Sequence, residues 1–221
     1  MKIYFHPNHS AIQSTVENIL RDFDGQGDFL RGGRNTIKVF TLENNQRINV
    51  KSFKKPNIIN RFVYCYFRKS KAERSFKYAM QLLEKGVRTP QPIAYAENKT
   101  LWGLRESYYV SEQLDCDLTF RELVLNPGFP DYDTILLQFT RFSFGLHQKG
   151  IEFLDHSPGN TLIKKQPDGN YDFYLVDLNR MKFHDSISFD TRMRNLSHLT
   201  HREDMILTIS EEYAKLSGED P

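Results

Sequence analysis

LHQKGIEFLDHSPGNTLI, residues 146–163, is the stretch on which the reading of this chain turns. Ahead of it Ile135, Leu136, Phe139, Phe142 and Leu146 recur at helical spacing, which predicts a helix from about Asp133 to Lys149, ended by Gly150. Behind it TLIKK (161–165), the turn Gln166-Pro167-Asp168-Gly169-Asn170 and DFYLVDL (172–178) read as a β-hairpin. Asn160 stands just before the first strand and Asp177 just after the apolar run of the second. Antiparallel pairing brings those ends together although they are 17 positions apart. Asp155 lies five residues upstream of Asn160, on a loop tightened by Pro158 and Gly159. A carboxylate and an amide oxygen beside a second carboxylate are hard ligands that suit Mg²⁺, which keeps waters and takes one or two protein ligands plus substrate phosphates. Phosphoryl transfer uses such a set, because positioning and charge neutralisation supply most of its catalysis.

Outward from this centre the two halves differ. Asn8 is placed to cap a first helix in which Ile12, Val16, Ile19, Leu20 and Phe23 recur. GDFLRGGRN (27–35), NTIKVFTL (35–42) and INVKSF (48–53), joined through the polar ENNQR, read as three antiparallel strands. A linker around Pro56 precedes a helix from about Ser70 to Lys85, stopped by Gly86. Pro90 and Pro92 bracket a return to extended structure, and SYYVSEQL (107–114) reads as a buried strand. The tail is mainly helical, with Met205, Ile206, Ile209 and Tyr213 on one stripe. A β-rich first half with one helix, followed by a helical second half with one hairpin, is an α+β, two-lobed order. Three divisions are expected: a helical extension over 1–26, a β-rich lobe over 27–113 and a short, mainly helical lobe over 114–221.

Composition narrows the function classes. Thirty Lys and Arg against 28 Asp and Glu give a net charge of only +2, but the charge is unevenly placed. Between Lys51 and Lys77 nine basic residues face Glu73 alone, a local +8, so the remainder is mildly acidic. Such a block points to an anionic partner such as ATP, phospholipid or an acidic sugar, or it is a solvated helix face. Nucleic acid is not expected as a partner. No apolar run reaches the roughly 20 residues of a membrane span, and the N-terminal residues lack the pattern of a secretory signal. Cys65 and Cys116 make neither a disulfide framework nor a spaced metal site. A cytoplasmic location is expected.

With these residues in place, LHQKGIEFLDHSPGNTLI resembles the protein-kinase-superfamily catalytic loop, D-x-x-x-x-N after a helix ending in L-H-x-x-G-I. VDLNRMKF (176–183) resembles the D-F-G segment that follows it. DHSPGN with DLNR, after KAERSF (71–76) and TPQPIAY (89–95), is most similar to the lipopolysaccharide kinase family, which includes kinases of Kdo (3-deoxy-manno-octulosonic acid) and of core heptose. The resemblance spans roughly residues 30 to 215. It implies a protein-kinase-like fold and ATP-dependent transfer to a sugar hydroxyl of a glycolipid core. It further implies that Asp155 orients or deprotonates that hydroxyl, while Asn160 and Asp177 hold Mg²⁺ under the phosphates. A small-molecule kinase of the aminoglycoside or choline type, which also carries D-x-x-P-x-N, is the alternative enzyme. A nucleotide-binding pseudokinase scaffold is the alternative that is not an enzyme.

Several ATP-site residues follow from the resemblance. Lys51 closes the INVK of INVKSF, where the phosphate-gripping lysine belongs, and it shares a strand face with Asn49 and Phe53, although Lys54 and Lys55 are nearby. Glu73 is its candidate ion-pair partner, or else only a member of the capping box Ser70-Lys71-Ala72-Glu73. Gly33, in Gly32-Gly33-Arg34-Asn35, either lends backbone N–H groups to phosphates or makes an ordinary hairpin turn. Glu112 and Leu114 fall where backbone would contact adenine. The chain also departs from protein kinases. Phe153 and Leu154 replace the usual His and Arg, Ser157 replaces a phosphate-contacting Lys, and Asn179 replaces the glycine of D-F-G. Only 44 residues follow Asp177, with no A-P-E-like segment, which favours a small or glycolipid acceptor over a protein. The stretch Lys54–Lys71, carrying Phe62, Tyr64, Tyr66 and Phe67 among its bases, is read either as a dock on the inner face of an anionic membrane or as a core aromatic cluster with a charged rim.

Overall fold

The computed structural model describes residues 1–55, 68–100 and 103–218. The chain divides into two compact units, Met1–Gln81 with Pro90–Leu114, and Leu82–Thr89 with Asp115–Pro221.

The first unit is built on a six-stranded antiparallel sheet. Its strands are β1 (Lys2–Phe5), β2 (Asp28–Arg31), β3 (Asn35–Thr41), β4 (Arg47–Phe53), β5 (Pro92–Thr100) and β6 (Gly103–Glu112), in the spatial order β1-β5-β6-β4-β3-β2. Strand alternation sorts β4 onto two faces. Ile48 and Val50 pack with Val16, Ile19 and Leu20 of helix α1 (Gln13–Arg21) and with Phe23. Each such side chain contributes roughly 1.5–3 kcal/mol of apolar burial, which is why this helix stays on the sheet. Phe53, on the opposite face, packs with Tyr95 and with Ala72 of helix α2 (Lys71–Glu84).

Residues 1–26 therefore do more than form a helical extension. They begin with β1, which pairs with β5, and α1 completes the sheet's own core. The cap expected from Asn8 is reversed: the Asn8 amide donates to His6 Nδ1, and a short 3-10 helix, Pro7–Ile12, precedes α1.

The second unit surrounds helix α4 (Tyr132–Gln148), which follows the short helix α3 (Phe120–Leu125). A three-stranded sheet runs in the order β10 (Tyr171–Leu175), β9 (Thr161–Lys165), β7 (Leu118–Thr119), and β8 (Ile151–Phe153) pairs with β11 (Met181–Phe183). Helices α5 (Phe189–Leu196) and α6 (Glu203–Ser217) complete it. Its core joins Phe120, Ile135, Phe139, Ile163, Phe173 and Met205. On α6 the expected stripe holds at Met205, Ile209 and Tyr213, but Ile206 is 46% exposed. Gly86 and Gly150 end α2 and α4 at φ 67° and 72°, where a Cβ would be strained. At Gly150 a Cβ would also lie 1.9 Å from the His184 carbonyl oxygen.

Candidate active site

The second unit assembles the loop that carries Asp155. Met181 lies opposite Phe153 in the β8–β11 pair, and the Leu154 amide donates to the Arg180 carbonyl. That register sets Arg180 beside Asp155, and its Nη1 donates to Asp155 Oδ1 at 3.0 Å. The loop then closes through a 3-10 turn, Pro158–Asn160. Asn160 Nδ2 donates to the Asp155 carbonyl at 2.8 Å. With its nitrogen so committed, the Asn160 amide turns its oxygen elsewhere.

The β9–β10 hairpin does what its sequence predicts. Leu175 lies opposite Thr161, and the Val176 amide donates to the Asn160 carbonyl at 3.0 Å. Asn160 and Asp177 thus leave the same end of the hairpin. Asp177 sits at φ 60°, in the left-handed region that Asp tolerates better than most residues. Asn179 Nδ2 donates to Asp177 Oδ1 at 2.6 Å, which helps to fix the carboxylate. Among the described residues no group of three or more His, Cys, Asp and Glu could hold a metal ion. One carboxylate and one amide oxygen on a fixed hairpin end do fit Mg²⁺, whose remaining ligands are water and substrate phosphate.

Behind the loop lies a buried polar network that sequence reasoning missed. Asn195 Nδ2 donates to the Phe153 carbonyl at 2.7 Å, so its Oδ1 faces His147 Nε2 at 3.1 Å. That nitrogen must carry the proton, which leaves Nδ1 to accept from the Tyr213 hydroxyl at 2.8 Å. Burial lowers the His147 pKa, which favours this neutral ring. His156, next to Asp155, is fully buried against Phe139 and Phe153. Burial pushes its pKa down to about 3, with the nearby His147 acting in the same direction. The loop that carries Asp155 is therefore seated on neutral imidazoles.

The first unit holds the expected ATP-site residues. Lys51 is 9% exposed on β4, between Ile37 of β3 and Tyr109 of β6, with Nζ 5.4 Å from the Phe53 ring centre. Glu73 is on α2, the helix that covers the same sheet face through Ala72 and Phe53. Its amide donates to Ser70 Oγ at 3.0 Å, half of the capping box, while its carboxylate pairs forward with Lys77 at 2.7 Å. Gly33 is exposed at φ 114° in the turn from β2 to β3. The Glu112 amide is spent on Gln91 and that of Gln113 on Arg47, whereas the Leu114 amide has no partner among the described residues. Lys55 pairs with Glu106 at 3.2 Å. Of the basic aromatic stretch Lys54–Lys71, residues 56–67, with Phe62, Tyr64, Tyr66 and Phe67, lie outside the described residues.

Comparison with known proteins settles the family. The model of the "Lipopolysaccharide kinase (Kdo/WaaP) family" matches residues 48–216, most of the chain. This chain belongs to that family. It is a phosphotransferase, an ATP-dependent kinase of the lipopolysaccharide kinase family. Among curated proteins no sequence matches it. Among solved structures it is similar to WaaP in complex with acyl carrier protein, with 15% identity and a TM-score of 0.66 over 97% of this chain and 89% of that one. It is also similar to the Rio2 kinase of Chaetomium thermophilum in its ADP/Mg²⁺-phosphoaspartate complex, with 16% identity and a TM-score of 0.56 over 92% and 69%. At these identities the likeness is one of fold, protein-kinase-like in both cases.

Proposed function

We propose that this kinase transfers the γ-phosphoryl group of ATP to a hydroxyl of a lipopolysaccharide core sugar, Kdo or heptose. The observation that carries the reading is the convergence of Asp155, Asn160 and Asp177 around one loop and one hairpin end, with Arg180 on the first and Asn179 on the last. Asp155 is the catalytic carboxylate. Arg180 holds Oδ1, so Oδ2 is directed at the acceptor hydroxyl and takes its proton. The new bond joins the acceptor oxygen to the γ-phosphorus, the bond from the β–γ bridging oxygen breaks, and ADP leaves. Asn160 and Asp177 would hold Mg²⁺ through side-chain oxygens. When bound, the ion neutralises the β- and γ-phosphates.

In the same reading Lys51 grips the α- and β-phosphates and Glu73 orients it. Gly33 lends its amide to phosphate, and the backbone of Glu112 and Leu114 meets adenine. The enzyme works beside an anionic membrane, docked through Lys54–Lys71. No described helix is long and apolar enough to cross one. Mass spectrometry of core glycolipid from cells with and without the protein tests the function. One phosphate fewer on a Kdo or heptose residue when the protein is missing is expected, and an unchanged core contradicts the proposal.

A further inference from the structure

Gly159 lies between Asp155 and Asn160, and a Cβ there would sit 2.6 Å from Arg121 Nη2 and 3.2 Å from Arg121 Cζ. The Arg121 guanidinium therefore rests over the bare Cα of the catalytic loop, and the glycine is what leaves it room. Arg121 comes from α3, whose preceding strand β7 pairs with β9 immediately after Asn160. Among the described residues its guanidinium makes no hydrogen bond or ion pair, and the neighbouring Glu122 acts on it only through charge. The adjacent Glu122 carboxylate is occupied at its own helix end, accepting from the Thr119 amide at 2.8 Å. Asp155 is already held by Arg180. An exposed planar fork of donors beside the Asp155–Asn160 loop is suited to a carboxylate or phosphate oxygen pair.

We propose that Arg121 binds an anionic group of the acceptor, next to the hydroxyl that is phosphorylated. Two sources share that chemistry, the carboxylate of a Kdo residue and a phosphate already on the core. The inference rests on the proposed lipopolysaccharide acceptor and adds the residue that reads its charge. Ser157, the neutral residue two places after Asp155, supplies no such cation from within the loop.

Steady-state kinetics with magnesium-ATP and deacylated lipopolysaccharide core oligosaccharide test it. Arg121→Gln is expected to raise the acceptor KM about ten- to hundredfold, as loss of a charge-assisted contact does, with the ATP KM and kcat held within about twofold. Arg121→Lys keeps the charge without the fork and should recover part of the loss. Carboxyl-reduced core and dephosphorylated core distinguish the sources. With the relevant anion removed, the parent's KM rises to that of Arg121→Gln, and the variant loses nothing more. An unchanged acceptor KM in Arg121→Gln, or a loss falling on kcat or on the ATP KM, overturns the role of Arg121 while the kinase reading stands. No transfer to core by the parent overturns the acceptor reading itself, and Arg121's role with it.

Discussion

At the scale of single residues, the loop from Asp155 to Asn160 is fixed from several directions. Arg180 holds the carboxylate of Asp155, Asn160 its carbonyl, and Asn195 the carbonyl of Phe153 just before it. The meeting of the hairpin ends at Asn160 and Asp177 was legible in the sequence, because a period-two hairpin with a Pro-Asp-Gly-Asn turn forces its ends together. Arg180 was not, because its partner lies 25 positions away. The pairing that joins them depends on two strands of three residues, too short to show alternation. His156 has a consequence for acid stability. Its folded pKa is about 3, below the ordinary value of 6.5, so the unfolded chain takes up the proton first. The contribution is fully present above about pH 6.5 and is lost as the pH falls towards 3, at about 1.4 kcal/mol per pH unit. His147, lowered in the same direction, adds to it. Denaturant titrations at pH 7 and 5 should show this loss, and His156→Phe, which keeps a ring against Phe139 and Phe153, should show a smaller one. Equal acid sensitivity in parent and variant would mean that His156 is not held neutral.

At the scale of elements, α2 serves two ends at once. Ser70 caps its first turn, and Ala72 seats it on the sheet face that carries Lys51 and Phe53. The Glu73 carboxylate meets Lys77, which is nearly half exposed, so that pair contributes only a few tenths of a kcal/mol. Ser70→Ala should therefore cost about 0.5–2 kcal/mol of stability and leave kcat of the folded protein unchanged. Glu73→Gln should do the reverse, lowering turnover with little change in thermal midpoint, and Lys51→Met should match it. A Glu73→Gln protein with full turnover would remove Glu73 from the site. The helices α1, α2, α4 and α6 were legible from apolar periodicity and glycine stops. Strands β1, β7, β8 and β11, of two to four residues, were not. Their existence depends on partners distant in sequence, such as Ile3 opposite Ala96.

At the scale of the whole molecule, the phosphate-gripping candidates Lys51 and Glu73 lie in one unit, and the metal and acceptor candidates lie in the other. The α+β two-lobed order was legible because each half has its own periodicity. The inclusion of Leu82–Thr89 in the second unit was not. Those residues are bound to the hairpin by backbone contacts, with the Leu175 amide donating to the Arg88 carbonyl and Thr89 Oγ1 to the Leu175 carbonyl. The proposed membrane dock is a property of the assembled charge. Each Lys or Arg near an anionic surface contributes about 1 kcal/mol, screened within a Debye length. Replacing Lys54, Lys55, Arg68 and Lys69 with Gln should release the protein from anionic vesicles in sedimentation, as should high salt. Equal binding by parent and variant would make the block a solvated rim.

The central claim is phosphoryl transfer to a lipopolysaccharide core sugar by Asp155, and its most direct measurement follows label from γ-labelled magnesium-ATP into core oligosaccharide. The account predicts label in the core with the parent protein. It also predicts a loss of roughly 10²–10⁴-fold in Asp155→Asn, with calorimetric ATP binding retained. Undiminished transfer by Asp155→Asn, or no label in any core acceptor with the parent, would contradict it.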